Sequence, residues 1–260
     1  MHDIETNTAN EAFAHMWQAA GMHLNKQIDG GIPAWIKANL EPPFLEHLSF
    51  RLGNQLFFIH VIDVDQQVVG PGSWNGLQMI SEACGGHACL MPMRKDAIHG
   101  WHPVATGWGL INPVDGEEIA PVDLVTDENI VMTDWELQDF AVQVVRKDLE
   151  GQGYSIMSSQ GNPSVHPSLW FVGDSKGPEW VVIRFGKYPN KTATLPSNLS
   201  EISSSCARQS PIGHFASVVF ANHDEAFDPM ATEALLPIYR GHGVYINYKG
   251  LEPITSPSMM

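Results

Sequence analysis

Apolar residues recur at helical spacing in two stretches of the chain, and each stretch starts with a capping box. The first box is Thr8 with Glu11, and the second is Thr133 with Glu136. Both boxes predict the start of an amphipathic helix, which glycines near positions 30 and 151 then end. The apolar positions are 13, 16, 17, 20 and 24 in the first stretch and 137, 140, 141, 144, 145 and 149 in the second.

Two continuous apolar runs predict central strands that are buried on both faces. One extends from Leu56 to Val61 and is interrupted by His60, and the other extends from Trp180 to Phe185 and is interrupted by Arg184. A charge inside such a strand must be paired, because an unpaired buried charge is costly. His60 and Arg184 therefore mark either an internal polar contact or a binding site for an anion in each half.

The predicted elements recur in one order at a narrow range of spacings. The capping boxes are 125 residues apart, and the later segments keep nearly that offset. The matching segments are 50–54 with 170–174, 56–61 with 180–185, 77–84 with 199–206, and Gly86-His87 with Gly213-His214. The sequence thus predicts an internal repeat with units at residues 8–128 and 131–253. The alternative is a pair of unrelated α/β halves that share common turn residues.

The sequence pattern of the second unit gives the clearest prediction of the fold. Its pattern gives a helix at 134–150, strands at 154–158, 169–172 and 180–186, a helix at 197–207, and strands at 215–220 and 244–248. The predicted fold class is α/β (α+β), with two diverged copies of an α-β-β-β-α-β unit and mixed sheets with flanking helices. Two such copies are expected to pack about a pseudo-twofold axis with a cleft between them.

This order, together with a helix that runs into a Gly-aromatic pair at Gly153-Tyr154, resembles the PD-(D/E)XK or restriction-endonuclease-like superfamily. The resemblance implies an acid at the second strand and an acid-x-Lys motif on the third, which hold a divalent cation for phosphodiester cleavage. Here Ser168 stands at the first position, and Val182-Ile183-Arg184 replaces the motif. The first unit has Phe58-Ile59-His60 there. The resemblance therefore implies a degenerate, non-catalytic member.

Charge and composition narrow the choice of partners. The 260 residues carry 14 Lys and Arg against 29 Asp and Glu, a net charge of -15, which disfavours nucleic acid as a partner. No apolar run reaches the roughly 18 residues of a membrane span, and the first ten residues lack the features of a signal peptide. Three cysteines do not make a disulfide framework, so we expect a cytoplasmic protein.

Other clusters add candidate ligand sites. Arg240-Gly241-His242-Gly243 is a glycine-flanked basic turn, so Arg240 and His242 are further candidates for anion binding. A plain hairpin or loop is the alternative, and a single short turn favours it.

Metal ligands could come from two further segments. Cys84, His87 and Cys89 offer three zinc ligands, and Cys206, His102 or His214 could add a fourth. The alternative is a set of small buried thiols. Asp63 and Asp65 would point to one face of a strand and could bind a cation such as Mg²⁺ with His60, or form a solvated strand end.

The sequence favours a non-catalytic recognition or scaffold protein that binds a protein or a small anionic ligand through His60 and Arg184. The missing acids and the net charge of -15 support this prediction. Two alternatives remain. One is a metal-dependent phosphodiesterase or nuclease whose acids have moved, to Glu136 and Asp139 or to Asp63 and Asp65. The other is a protein that zinc stabilises through Cys84, His87 and Cys89.

Overall fold

The computed structural model describes residues 11–38, 47–71 and 73–254. The chain divides into two compact units, Met1–Ile130 (unit 1) and Val131–Met260 (unit 2). Each unit contains a mixed sheet with flanking helices, so the predicted fold class is confirmed. Thr8 of the first predicted capping box lies outside the described residues.

Unit 1 has the order α-β-β-β-α-β-β. Its elements are α1 (Glu11–Asn25), β1 (Ala34–Lys37), β2 (Leu48–Leu52), β3 (Gln55–Asp63), α2 (Trp74–Cys84), β4 (His87–Asp96) and β5 (Gly100–Pro103), followed by a short 3-10 helix (Pro121–Leu124). The sheet order is β1-β2-β3-β4-β5, and only β3 and β4 are parallel. The five apolar positions predicted for α1 are all buried, and they pack on one face of the sheet.

Unit 2 repeats this topology. Its elements are α3 (Asp134–Gly151), β6 (Ser155–Ser159), β7 (Leu169–Val172), β8 (Pro178–Lys187), α4 (Leu199–Cys206), β9 (Gly213–Asn222), β10 (Val244–Tyr248) and β11 (Glu252–Pro253). The sheet order is β6-β7-β8-β9-β10, with β11 also paired to β9, and only β8 and β9 are parallel. Among the described helices of both units, none is long and apolar enough to cross a bilayer.

Side-chain alternation along β8 gives the unit 2 sheet two different faces. Val181 and Ile183 face α3 in one apolar cluster. Trp180 and Val182 belong to a second cluster with the buried side of α4. Arg184 continues the series of Trp180 and Val182, so its side chain is on the α4 face.

The register of the parallel strands matches between the units. Phe57 pairs with His87 in unit 1, and Val181 pairs with His214 in unit 2. These are the residues that the two sequence matches, 56–61 with 180–185 and Gly86-His87 with Gly213-His214, make equivalent. The two sequence matches have different offsets, yet the residues that they make equivalent are paired with each other in both sheets. This is expected if the units are copies of one ancestor.

The match between the second strands is shifted by one residue. Phe50 pairs with Phe57, whereas Val181, the counterpart of Phe57, pairs with Leu169 and not with Trp170. Burial agrees with this register, because Phe50 and Leu169 are both fully buried while Trp170 is half-buried. The prediction that Trp170 corresponds to Phe50 is therefore wrong, because a local resemblance between aromatic residues does not fix which residue faces the core.

The repeated Gly-His dipeptide has a packing reason. A Cβ at Gly213 would overlap the ring of Trp180, and a Cβ at Gly86 would lie 2.7 Å from the ring of Phe58. Each glycine therefore leaves room for an aromatic side chain of the preceding central strand. Trp180 is also held through its indole N–H, which donates to the carbonyl of Ser210 at 3.0 Å.

Candidate functional site

Arg184 and His60 lie at equivalent positions on the central strands β8 and β3. Each is partly buried, and each projects to the sheet face opposite the long N-terminal helix of its unit. Since adjacent residues of a strand point to opposite faces, the neighbours on either side of each residue belong to the other face. A cationic or protonatable group therefore occupies one repeated place in two otherwise diverged units.

The guanidinium of Arg184 has two neutral partners. It donates to the carbonyl of Pro163 at 3.1 Å and to Nε2 of His166 at 3.0 Å. Burial lowers the pKa of Arg184, and burial together with the charge of Arg184 lowers the pKa of His166. Among the described residues no carboxylate forms an ion pair with Arg184. Its positive charge is thus solvated by dipoles rather than neutralised, which leaves it able to attract an anion.

In unit 1 the corresponding neighbourhood contains His47, Lys37 and His60. His47 is 4% exposed, and its ring meets Phe58 edge to face at a centroid distance of 5.4 Å. Burial, with smaller effects of the charges of Lys37 and His60, lowers the pKa of His47 to about 3. His47 is therefore neutral near pH 7, and Lys37 supplies a positive charge in this neighbourhood.

Arg240 is not available to a ligand. Its side chain is 1% exposed and forms a bidentate ion pair with Glu136, at 2.8 Å from Nε to Oε1 and 2.9 Å from Nη2 to Oε2. Glu136 also closes the capping box with Thr133. The prediction that Arg240 binds an anion is therefore wrong, because its charge is already neutralised inside unit 2. His242 is exposed beside Tyr239, so the two residues of the basic turn do not form one site.

The predicted zinc ligands are divided between the two faces of the unit 1 sheet. Cys89 is buried in the cluster that includes α1, and burial raises its pKa to about 12. His87 stacks on Phe57 in that same cluster. Cys84 is fully buried on α2, which packs on the other face. The proposed set of Cys84, His87 and Cys89 is thus not assembled.

No group of three or more His, Cys, Asp or Glu side chains that could hold a metal ion occurs among residues 11–38, 47–71 and 73–254, which include Cys206, His102 and His214. None of the three cysteines forms a disulfide.

The side chain of Asp63 stabilises the turn that follows β3. Its carboxylate accepts hydrogen bonds from the backbone N–H groups of Asp65, Gln67 and Val68 at 2.9 to 3.0 Å. Strand β3 ends at Asp63, so Asp65 does not share its face, and instead Asp65 lies 3.8 Å from the exposed Arg94. The prediction that the two acids point together is wrong, because the alternation of a strand stops where the strand ends.

The acids considered for a nuclease do not converge in unit 2. Ser168 is buried, and its Oγ accepts from the N–H of Ile183. Glu136 is engaged by Arg240, and Asp139 accepts from Gln143 at 2.6 Å. Glu179 is 7% exposed at the start of β8, where it contacts His214. These carboxylates are engaged at separate places, and no group of three or more His, Cys, Asp or Glu side chains that could hold a metal ion occurs among the described residues.

The pair of Glu179 and His214 was not predicted as a site. Nε2 of His214 donates to Oε2 of Glu179 at 2.7 Å. Burial by itself raises the pKa of Glu179, but hydrogen bonds from Ser175 and His214 outweigh it and leave the pKa below its usual value. In unit 1, Gln55 and His87 form the same contact at 3.0 Å. The repeated Gly-His dipeptide was the signal in the sequence that could have found it.

A pocket of about 480 Å³ lies beside β10 in unit 2. Its aromatic walls are Tyr188, Phe227 and Tyr245, and their ring centroids lie 5.2 and 5.4 Å apart in successive pairs. Tyr188 pins the loop that carries Phe227, since its hydroxyl donates to the carbonyl of Asp228 and accepts from the N–H of that residue. The pocket is thus bounded by side chains held in place before any ligand arrives.

Comparison with known protein families finds a match in unit 2. Residues 135–254 match the family model described as a domain of unknown function, DUF8840. The match begins one residue after the start of α3 and ends after β11, so it covers the whole unit 2 fold. No curated protein and no solved structure matches the chain.

Proposed function

We propose that this is a non-catalytic recognition protein whose unit 2 binds a small anionic group at Arg184. The observation that carries the proposal is the guanidinium of Arg184, which is partly buried and has the neutral partners Pro163 and His166. A buried cation held by dipoles gains most from a ligand that brings a compensating negative charge. Carboxylates and phosphates are the groups that a guanidinium binds best, through two parallel hydrogen bonds.

The repeat supports this choice of site. Unit 1 keeps a protonatable residue, His60, at the position of Arg184, with Lys37 near enough for both to influence His47. The chain carries a net charge of -15, so anions are repelled at long range. A local cation in such a protein selects a small ligand over a nucleic-acid backbone.

The contacts of the acidic side chains support a role without catalysis. Glu136 is ion-paired with Arg240, and Asp63 accepts hydrogen bonds from the backbone of a turn. We infer that both units are degenerate forms of a nuclease-like fold, which the repeated α-β-β-β-α-β order supports. Three cysteines without a disulfide fit a reducing compartment such as the cytoplasm.

The test is a thermal-shift and calorimetric titration of the full chain with citrate and with inorganic phosphate. Arg184→Gln is expected to weaken binding at least about tenfold, which corresponds to about 1.4 kcal/mol. The control is Arg208→Gln, which removes the same charge from an exposed arginine that follows the end of α4 and donates hydrogen bonds to the carbonyl and the hydroxyl of Ser205. Binding that Arg184→Gln leaves intact would contradict the proposal. A shift with Mg²⁺ or Mn²⁺, accompanied by phosphodiester cleavage, would replace it with the nuclease alternative.

A further inference from the structure

A histidine faces Arg184 from the neighbouring segment of unit 2. Leu169 pairs with Val181 in antiparallel register, and three residues before the one and three after the other are His166 and Arg184. Residues that lie opposite each other in this register project to the same face of a sheet. The side chains agree, since Nη2 of Arg184 lies 3.0 Å from Nε2 of His166. The two residues therefore form one pair on the α4 face.

Unit 1 repeats this pair with a different base. Leu48 pairs with Ile59, and one step further along the register puts His47 opposite His60. Burial is the main cause of the lowered pKa of His47, and the charges of Lys37 and His60 add to it, so the two histidines are electrostatic neighbours. A histidine that faces the strand base is thus a feature of the repeat.

The contact with Arg184 fixes where the proton of His166 lies. A guanidinium has only N–H donors, so Nε2 must accept and the single proton of the neutral ring is on Nδ1. Nδ1 is buried and has no hydrogen-bond partner in the part of the chain that the structure describes. Burial, together with the charge of Arg184, holds the pKa of His166 below its ordinary value. Without a ligand the ring is therefore neutral at about pH 7.

Among the described residues, Arg184 is the one charged group that acts on His166. The segment 160–167 and strands β6 and β7 contain no other titratable side chain. On α4, burial raises the pKa of Cys206 to about 11, so that its thiol is neutral. The other titratable groups of β8, β9 and α4 alternate onto the α3 face or are exposed to solvent, and they are Glu179, Lys187, His214 and Glu201.

An anion at Arg184 changes the balance at His166. It replaces Nε2 as the acceptor of the Nη2 hydrogen, and it brings negative charge beside the ring. A nearby negative charge favours the protonated imidazole. A proton on Nε2 then converts a group that competes with the anion for Arg184 into a second donor to it.

Ser217 supplies a third donor on the same face. It lies beside Arg184 in the parallel register of β8 and β9. Its hydroxyl oxygen accepts from the N–H of Ala193 at 2.7 Å, which leaves the hydroxyl hydrogen for another acceptor. Arg184 and a protonated His166 carry two positive charges, and with this hydroxyl they match an oxyanion that carries two negative charges.

We propose that the Arg184 site takes up a doubly charged oxyanion, such as a sulfate or a phosphate monoester, together with one proton that His166 carries. The proton comes from the solvent and goes to Nε2 of the ring. This proposal rests on the proposed function, because it requires Arg184 to bind the anion. Affinity then rises as pH falls through the pKa that His166 has with the anion bound, and the rise ends below its pKa in the free protein.

The experiment is calorimetric titration of the full chain with sodium sulfate, which has no titrating group of its own between about pH 6 and pH 8. Titrations in buffers of different ionisation enthalpy count the protons that enter with the anion. We expect the uptake of about half a proton or more per bound sulfate at about pH 7. The linked expectation is binding about tenfold tighter at about pH 6 than at about pH 8.

Matched variants assign the proton. His166→Gln keeps an oxygen that can accept from Arg184 but cannot be protonated, so it should abolish both the uptake and the pH dependence. His223→Gln removes an exposed histidine of the same unit and should leave both unchanged. If His166→Gln does not fold, NMR of the wild-type chain replaces it, because the ring signal of His166 should titrate at higher pH when sulfate is present.

The outcomes separate this proposal from the proposed function. Sulfate binding that needs Arg184 but takes up equal numbers of protons in the wild type and in His166→Gln would overturn the proton uptake and leave the Arg184 site standing. In the NMR experiment, a His166 titration that sulfate does not move has the same meaning. Binding that Arg184→Gln leaves intact, or no binding of sulfate at any pH, would overturn both.

Discussion

His87 and His214 occupy the same position in the two sheets, and each uses Nε2 to contact the residue at the start of the central strand. The contact residue is Gln55 in unit 1 and Glu179 in unit 2, at 3.0 and 2.7 Å. The geometry is shared while the charge differs. The repeat therefore contains the same histidine contact once with a neutral amide and once with a carboxylate.

Glu179→Gln replaces the carboxylate by the neutral amide that Gln55 provides in unit 1, so it should reduce the dependence of stability on pH. The folded-state pKa of Glu179 is lowered, so its carboxylate stabilises the fold above the unfolded-state pKa, and that stabilisation is lost as pH falls through the folded-state value. We expect the variant to lose about 1 kcal/mol at about pH 7 and less at about pH 3. Urea unfolding at the two pH values measures this.

Glu201→Gln on the exposed side of α4 is the matched control for that experiment. It removes the same charge without a partner among the described residues. An equal loss in both variants would show that the contact with His214 adds nothing specific.

Glu136→Gln should be strongly destabilising, because it leaves the buried guanidinium of Arg240 without its carboxylate. Breaking a buried ion pair from one side typically costs about 3 to 5 kcal/mol. Glu150→Gln is the control, because Glu150 pairs with Arg146 near the surface of the same helix, where the loss should be below about 1 kcal/mol. Equilibrium unfolding in urea measures both, and similar losses would contradict the assigned role of Arg240.

Gly213→Ala should destabilise unit 2 by about 1 to 3 kcal/mol, because the added methyl group would overlap the buried ring of Trp180. Gly151→Ala has no atom within 4 Å of the added methyl group and should be neutral or slightly stabilising. Thermal unfolding monitored by tryptophan fluorescence compares the two variants. A neutral Gly213→Ala would show that Trp180 moves freely and that the repeated glycine has no packing role.

Acid should weaken unit 1 through His47. Its folded-state pKa is lowered from 6.5 to about 3, so the unfolded chain takes up a proton first as pH falls. The stability linked to neutral His47 is therefore fully present above about pH 6.5 and is lost progressively toward about pH 3.

His47→Phe keeps an aromatic ring against Phe58 and should flatten the pH profile over that range. His15→Phe, at an exposed position of α1, should not flatten it. Hydrogen exchange of the β3 amides, measured between about pH 6.5 and pH 4, reports the effect. A profile unchanged by His47→Phe would assign the acid sensitivity of unit 1 to other groups.

Elemental analysis of the purified protein should find no stoichiometric zinc, and a chelator should leave its melting temperature unchanged. The reason is that Cys84 and Cys89 are buried on opposite faces of the unit 1 sheet, so they and His87 do not converge on one tetrahedral ion. One equivalent of zinc that disappears in Cys89→Ser would contradict this and restore the zinc-stabilised alternative.

The sequence determined the elements and their repetition, because periodicity and capping are local. The five apolar positions of α1, the capping box of α3 and the central strands lie where the pattern placed them. Arg184 and His60 were likewise identified from one basic residue in an apolar run. What the sequence could not fix was the register of β7, where Leu169 rather than Trp170 faces the core, since neighbouring strands are chosen by packing.

The tertiary structure alone decided which polar groups meet. Arg240 and Glu136 are 104 residues apart, and their pairing removes Arg240 from any binding site. The contact of Glu179 with His214 likewise depends on the parallel register of β8 and β9. The pocket beside β10 arises only when the loops carrying Tyr188 and Phe227 close beside that strand. Local patterns specify elements, whereas a site is defined by side chains that distant parts of the chain bring together.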